Sequence, residues 1–170
     1  MRRSTDVPEP GGFEDFYAAQ FHGLTLQLYA YTGDLGDAQD LAQEAFCRAL
    51  ARWRQLGRYE DPAGWVRRVG WNLATSRWRR NRVAAAFWRR EPVRHTDGPG
   101  PDRVALVRAL ATLPATQRRV FVLRHVADLS LAEIAEQVGI PEGTVKSTLH
   151  RARAALARCL TELKEESHRG

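Results

Sequence analysis

The sequence predicts an all-α protein: two small helical domains joined by a flexible linker. Three observations point there. Apolar residues recur every three or four positions through most of the chain, which is the helical period. Composition then shifts sharply between Ala84 and Asp102, where Pro92, Pro99 and Pro101, with Gly98 and Gly100, end regular structure. Finally, Leu129 to Leu156 reads as two helices joined by a short turn, the second carrying polar and basic side chains. A chain of 170 residues can hold two such units. The expected boundaries are 13–87 for the first domain, 88–101 for the linker and 102–163 for the second domain.

Composition narrows the function classes. The net charge is +6 and the hydrophobic fraction 44%, ordinary for a globular chain but biased toward a polyanionic partner. No apolar run approaches membrane-spanning length, and Met1 to Gly12 lacks the apolar core of a signal peptide. The expectation is a cytoplasmic protein without membrane insertion. Cys47 and Cys159 lie far apart and form no metal-type cluster, so they read as two reduced thiols. There is no Gly-rich phosphate loop, metalloprotease histidine pair or nucleophile elbow. Neither enzyme chemistry nor a cofactor is expected.

Residues 1–12, with Pro8, Pro10, Gly11 and Gly12, read as a frayed lead-in. From Phe13 to about Tyr31, Phe16, Tyr17, Phe21, Leu24, Leu28 and Tyr31 mark a helix, either whole or broken near Gly23. Thr32-Gly33-Asp34 turns the chain into the next helix, about Asp37 to Arg54. Its apolar face is Leu41, Ala42, Ala45, Phe46, Ala49 and Trp53. The opposite face carries Asp37, Asp40, Gln43, Glu44, Cys47 and Arg48, with the carboxylates toward the N-terminus, where the helix dipole favours them. One exposed acidic strip on a basic protein also points to a second partner besides a polyanion.

Gly57 to Asp61 form a loop, and Asp61-Pro62 opens another helix with a capping residue and a proline at its first position. Trp65, Val66, Val69 and Leu73 are expected on its buried side. The remainder is basic: Arg67, Arg68, Arg77, Arg79, Arg80 and Arg82, with no acid between Asp61 and Glu91. Counting helical steps from Trp65 places Trp71 and Trp78 on the outer side among the arginines. Charge that tracks a backbone, interleaved with rings that stack on bases, suits single-stranded nucleic acid. Packing of either tryptophan beneath a neighbouring helix is the alternative. Beyond the linker, which Trp88, Arg89, Arg90 and Arg94 keep basic, a helix from Val104 to about Thr112 turns Leu106, Val107 and Leu110 inward. Leu113-Pro114 starts another, from Ala115 to Val126, burying Val120, Phe121 and Leu123.

The final hairpin is the most specific stretch. Ser130 followed by Glu133 is a capping box. Ile134, Ala135 and Val138 share one face, Gly139 sits where the helix must stop, and Pro141 suits a new helix start. Val145, Leu149, Ala152 and Leu156 then make the inward stripe. Ser147, His150 and Arg151 point away from it, flanked by Lys146 and Arg153 on one side and Thr144 and Thr148 on the other. Such a helix suits a DNA major groove.

The run Gly143-Thr144-Val145-Lys146-Ser147, followed by His150-Arg151-Ala152-Arg153, resembles the recognition helix of bacterial sigma factors. Leu113-Pro114, Gln117-Arg118 and Leu123-Arg124 match the pattern that precedes it. Residues 34–46 resemble the sigma segment that grips a coiled coil of the polymerase's largest subunit, and the arginine-rich helix resembles the region that melts and reads the minus-ten element. Asn72 matches a common family Asn, whereas Ser76 departs from its frequent Asp. The resemblance covers about residues 13 to 160, and with only two domains it is to the extracytoplasmic function (ECF) group of the sigma-70 family. It implies three kinds of partner: core RNA polymerase, promoter DNA both as duplex and melted, and an anti-sigma factor. Asp37, Asp40, Gln43 and Glu44 are the implied polymerase-binding residues. Arg67, Arg68, Trp71, Asn72, Thr75, Trp78, Arg79 and Arg82 would hold the minus-ten strand, and Thr144, Lys146, Ser147, His150, Arg151 and Arg153 would read the minus-thirty-five duplex. A stand-alone transcriptional regulator would need a receiver or ligand-sensing domain upstream, with strands alternating with helices, and residues 13–82 are helical in period throughout. A sigma-like decoy would present the same surfaces without initiating.

Overall fold

The computed structural model describes residues 10–87 and 100–169. The regular structure among the described residues is entirely helical: α1 Pro10–Thr32, α2 Leu35–Ala51, α3 Trp53–Leu56, α4 Pro62–Phe87, α5 Pro101–Ala111, α6 Ala115–His125, α7 Leu131–Val138 and α8 Glu142–Arg169. They fall into two compact units. The first ends at Leu28, resumes at Asp37 and includes α2, α3 and α4; the second takes in Tyr29–Gly36 together with the residues from 100 onward. Most of the expected linker (88–99) and most of the lead-in (1–9) lie outside the described residues.

In the first unit α1 is unbroken: a Cβ at Gly23 would meet nothing within 4 Å, so this glycine marks neither a kink nor a close approach. An aromatic cluster fastens α1 to α2. Phe46 is 2% exposed, and its ring lies 5.7 Å from Phe16, 5.1 Å from Tyr17 and 5.8 Å from Phe21. Burying one such ring contributes about 1.5–3 kcal/mol. The inward face of α2 is Ala38, Leu41, Ala42, Ala45, Phe46 and Ala49. The expected helix to Arg54 stops earlier, at Ala51. Arg52 leaves helical geometry (φ −114°, ψ 9°), and α3 swings Trp53 onto α1, 5.3 Å from Phe13 and 5.0 Å from Phe16.

Helix α4 starts as its sequence foretells, with Asp61 Oδ1 accepting the Gly64 N–H at 2.8 Å. Its buried side differs from the expected one. Val66, Gly70, Trp71 and Ala74 are buried, while Trp65, Val69 and Leu73 are only half-buried. Gly70 explains the rotation. A Cβ there would stand 3.1 Å from Leu24 Cδ2, so the missing side chain lets α4 lie close against α1. That approach carries Trp71, adjacent in sequence, into the interior.

In the second unit Val107, Ala109 and Leu110 of α5 are buried, whereas Leu106, expected inward, is 42% exposed. On α6 the core residues are Val120, Val122 and Leu123. Phe121, expected in the core, is half-buried and packs on His125. The small β-branched Val122 fills the space between helices, and the larger ring lies along the rim. Arg118 ties loop ends together: its Nη1 donates to the Tyr31 carbonyl at 2.8 Å, and its Nη2 to the carbonyls of Leu113 (3.0 Å) and Ala111 (3.2 Å). Burial pulls the Arg118 pKa below the usual arginine value, partly offset by Tyr31, yet an arginine remains charged.

The hairpin of α7 and α8 follows its sequence signals closely. Glu133 N–H donates to Ser130 Oγ at 3.2 Å, and Ser130 N–H to Glu133 Oε2 at 2.7 Å, completing the capping box. Gly139 adopts φ 76°, and its N–H reaches the Ala135 carbonyl at 2.9 Å. Pro141 precedes α8 and accepts the Val145 N–H at 3.0 Å. Val145, Leu149, Ala152 and Leu156 are buried as expected. Thr148, expected at the edge of the outer face, is instead 5% exposed, because it lies beside Leu149 on the packed side.

Candidate nucleic-acid interface

The packed stripe of α8 leaves a defined outer face. Thr144, Lys146, His150, Arg151 and Arg153 are exposed on it. Ser147 is half-buried, and its Oγ donates to the Thr144 carbonyl at 3.1 Å. With its hydroxyl hydrogen committed to the backbone, Ser147 offers an outside group only lone pairs, so it would accept from a base amino group rather than donate. All six expected minus-thirty-five residues therefore share one face of the first three turns of α8. Three of them, Lys146, Arg151 and Arg153, carry positive charge. A single helix so charged fits a major groove about 12 Å wide. Arg153 is also held from α6: its Nη2 lies 3.3 Å from His125 Nε2. Partial burial, then Arg153, then Arg124, push the His125 imidazole below the ordinary histidine pKa.

On α4, Arg68, Asn72, Thr75, Arg79 and Arg82 recur at spacings of four, three, four and three, which makes one strip along the helix. All but the half-buried Thr75 are exposed, and Thr75 Oγ1 is turned back onto the carbonyls of Trp71 (2.9 Å) and Asn72 (3.1 Å). Trp78 is half-buried beside this strip, with the Arg82 guanidinium 5.3 Å from its ring centre. Arg67 is half-buried rather than part of the open strip.

Trp71 corrects the expectation. It is fully buried, at 0% exposure, and its Nε1–H donates to the Oε1 of Gln27, itself only 9% exposed, at 3.1 Å. A buried indole whose N–H is satisfied inside the protein cannot stack on a base without unpacking the unit. It belongs to the core, and the strand-binding set loses it. Its polar partner, 44 residues away in sequence, left no local signal.

The acidic strip on α2 divides into two parts. Asp40, Gln43 and Glu44 are exposed, with Gln43 Oε1 accepting from Tyr17 Oη at 3.0 Å and Glu44 paired to Arg48 one turn on. Asp37, by contrast, is bridged to Arg77 of α4 at 3.2 Å. This bond joins the acidic helix to the arginine-rich one, so Asp37 has a structural partner within the unit. Sequence reading noted Arg77 only as one more basic residue, since nothing local pairs residues 40 positions apart. Among the described residues no group of three or more His, Cys, Asp or Glu could hold a metal ion, and no helix is long and apolar enough to cross a membrane.

Comparison with known proteins agrees with this geometry. The sigma-70 region 2 family profile matches residues 24–83, and the sigma-70 region 4 profile matches residues 103–156. The chain is 35% identical over 147 residues to the RNA polymerase sigma-E factor of Streptomyces coelicolor, covering 85% of this chain and 83% of that one. It is 31% identical over 168 residues to the ECF RNA polymerase sigma factor SigW of Bacillus subtilis, covering 88% and 87% respectively. In fold it is similar to the sigma factor RpoE of Bartonella quintana, solved with the anti-sigma factor NepR. That match has a TM-score of 0.76 at 21% identity, over 88% of this chain and 96% of that one. The two family matches fall on the two blocks whose surfaces were just described, in the same order: the chain belongs to the sigma-70 family of RNA polymerase sigma factors, in its ECF group, and is a promoter-directing initiation factor.

Proposed function

We propose that the three surfaces divide the work of initiation among named side chains. The exposed part of the acidic strip, Asp40, Gln43 and Glu44, docks the first unit on core RNA polymerase. Asp37, engaged with Arg77, supports that helix from behind instead of contacting the polymerase directly. The α4 strip, with Arg68, Asn72, Arg79, Arg82 and the edge of Trp78, holds the opened minus-ten strand; Thr75 shapes its edge and Arg67 lends charge from the side. The outer face of α8 reads the minus-thirty-five element as duplex. Ser147, His150 and Arg151 reach base edges, Thr144 positions the helix on the phosphates, and Lys146 and Arg153 stand at the flank, placed for a phosphate or a guanine.

The single observation that carries this reading is the α7–α8 hairpin. Its cap, its left-handed Gly139 and its buried stripe fix which side of α8 faces outward, and that side holds every expected reading residue. Positive charge on α8 and α4 supplies the salt-dependent attraction to phosphates. The protein contributes recognition and strand separation, and bond formation stays with the polymerase. Residence in the cytoplasm follows from the same reading, since both the polymerase and the promoter are found there, and an anti-sigma factor, the kind of partner solved with the similar RpoE, is the regulator it would meet.

Arg151 supplies the test. If it makes a bidentate base contact, Arg151→Ala weakens binding of holoenzyme to its promoter by about 1–3 kcal/mol and relaxes preference at one base pair. Equal weakening on promoter and unrelated duplex alike would reassign Arg151 to a phosphate.

A further inference from the structure

We propose that His125, on α6 and outside the recognition helix, is a positioning residue for Arg153 and makes promoter discrimination sensitive to pH. This rests on the reading of α8 as the duplex-recognition helix.

A guanidinium nitrogen can only donate. The 3.3 Å approach of Arg153 Nη2 to His125 Nε2 therefore requires Nε2 to be the unprotonated, accepting nitrogen, with the ring proton on Nδ1. The imidazole and the guanidinium are both exposed, and the imidazole rests against Phe121 with ring centroids 4.5 Å apart, which favours this orientation. In this state Arg153, a long side chain with much rotamer freedom, is held in one orientation at the flank of the reading face. Protonation of His125 removes the acceptor and places a second cation beside the guanidinium, so Arg153 is released.

The charges around His125 agree with a group kept neutral near pH 7. Arg153 of α8 and Arg124 of its own helix both act against protonation, in addition to partial burial. Arg124 has the carboxylate of Asp128 at 4.0 Å. Helix α7, which also packs on α6, carries Glu133, engaged in the capping box, and Glu136. Acidification would add charge near the duplex, raising affinity for any sequence, and would free Arg153, lowering the premium for the right one. Both changes reduce the ratio of cognate to non-cognate binding.

The experiment uses holoenzyme assembled from the full chain and core polymerase. A duplex is selected from a random-sequence pool at about pH 8, and its affinity is compared with that of a shuffled duplex at about pH 8 and about pH 5.5. The expected ratio for the unsubstituted chain falls about two- to fivefold on acidification. His125→Gln, whose Oε1 reaches as far as Nε2 and accepts without titrating, keeps the higher ratio at both pH values. His125→Leu, with no acceptor, shows the lower ratio at both. Every other residue of the chain and the whole polymerase are common to the three proteins, so the comparison isolates position 125. As a check that needs no DNA, the His125 imidazole followed by NMR titrates at higher pH in Arg153→Ala. The same pH profile in His125→Gln as in the unsubstituted chain, or an unmoved titration in Arg153→Ala, overturns the proposal while leaving the α8 reading intact. A selection that enriches no sequence overturns that reading itself, and this role with it.

Discussion

Replacing Trp71 separates a core role from a strand-binding role. The side chain is fully buried on α4 against α1, and its indole N–H holds the Oε1 of Gln27, itself almost fully buried. Trp71→Ala removes the largest fully buried side chain of the first unit and leaves that acceptor unpaired. Truncating a buried aromatic costs about 3–5 kcal/mol. The orphaned amide adds about 1–3 kcal/mol, unless water enters to satisfy it. Against a total stability of about 5–15 kcal/mol, this removes a large share of what holds the first unit folded, and its urea midpoint falls steeply. Trp71→Phe is the sharper variant: it keeps most of the ring but not the donor, and is expected to cost about 1–3 kcal/mol. Pairing it with Gln27→Leu recovers part of that loss, because the unpaired acceptor is gone. Urea denaturation of the four chains gives the cycle directly. If Trp71→Phe unfolds at the same urea concentration as the unsubstituted chain but loses binding to opened promoter, Trp71 is a surface residue and its packing as described here is wrong.

Other consequences follow from single contacts. Ser130→Ala removes one half of the capping box and should cost about 1 kcal/mol, measured as a lower unfolding midpoint. Gly139→Ala forces a Cβ into left-handed geometry at φ 76° and should cost about 1–2 kcal/mol; Gly139→Asn should recover part of it. Stability also depends on His125. Its folded pKa lies below the free value of about 6.5, so between the two values the unfolded chain binds more protons. The stability linked to neutral His125 is complete above about pH 6.5 and shrinks as pH falls below it. Thermal melts should show a steeper acid loss in the unsubstituted chain than in His125→Gln.

Much of the fold was legible because its signals are local. The capping box at Ser130, the αL stop at Gly139 and the Asp61-Pro62 start each depend on residues within one turn, and each stands where its sequence places it. The apolar stripe of α8 was legible for a related reason: only one face of that helix carries large aliphatic residues at helical spacing. Helix α4 shows the limit. Its apolar residues lie on more than one side, and Trp65 and Trp71 compete for the interior. The choice is made by Gly70 against Leu24 and by Gln27 on a distant stretch of chain. The same holds for Asp37 with Arg77, and for His125 with Arg153, which are 28 residues apart. Contacts set by tertiary approach leave no period to read, so the candidate site was found as a list of exposed residues and corrected where packing claimed one of them.

Transcription in vitro tests the central claim most directly. Core RNA polymerase is supplied with genomic fragments, with and without the protein, and the transcripts are mapped. New discrete start sites that require the protein are expected, with two shared upstream elements; Arg151→Ala relaxes one position of the distal element, and Arg79→Ala with Arg82→Ala weakens use of the proximal one. Stable binding to core polymerase without any new start would contradict the account and leave a decoy that shares the fold without initiating.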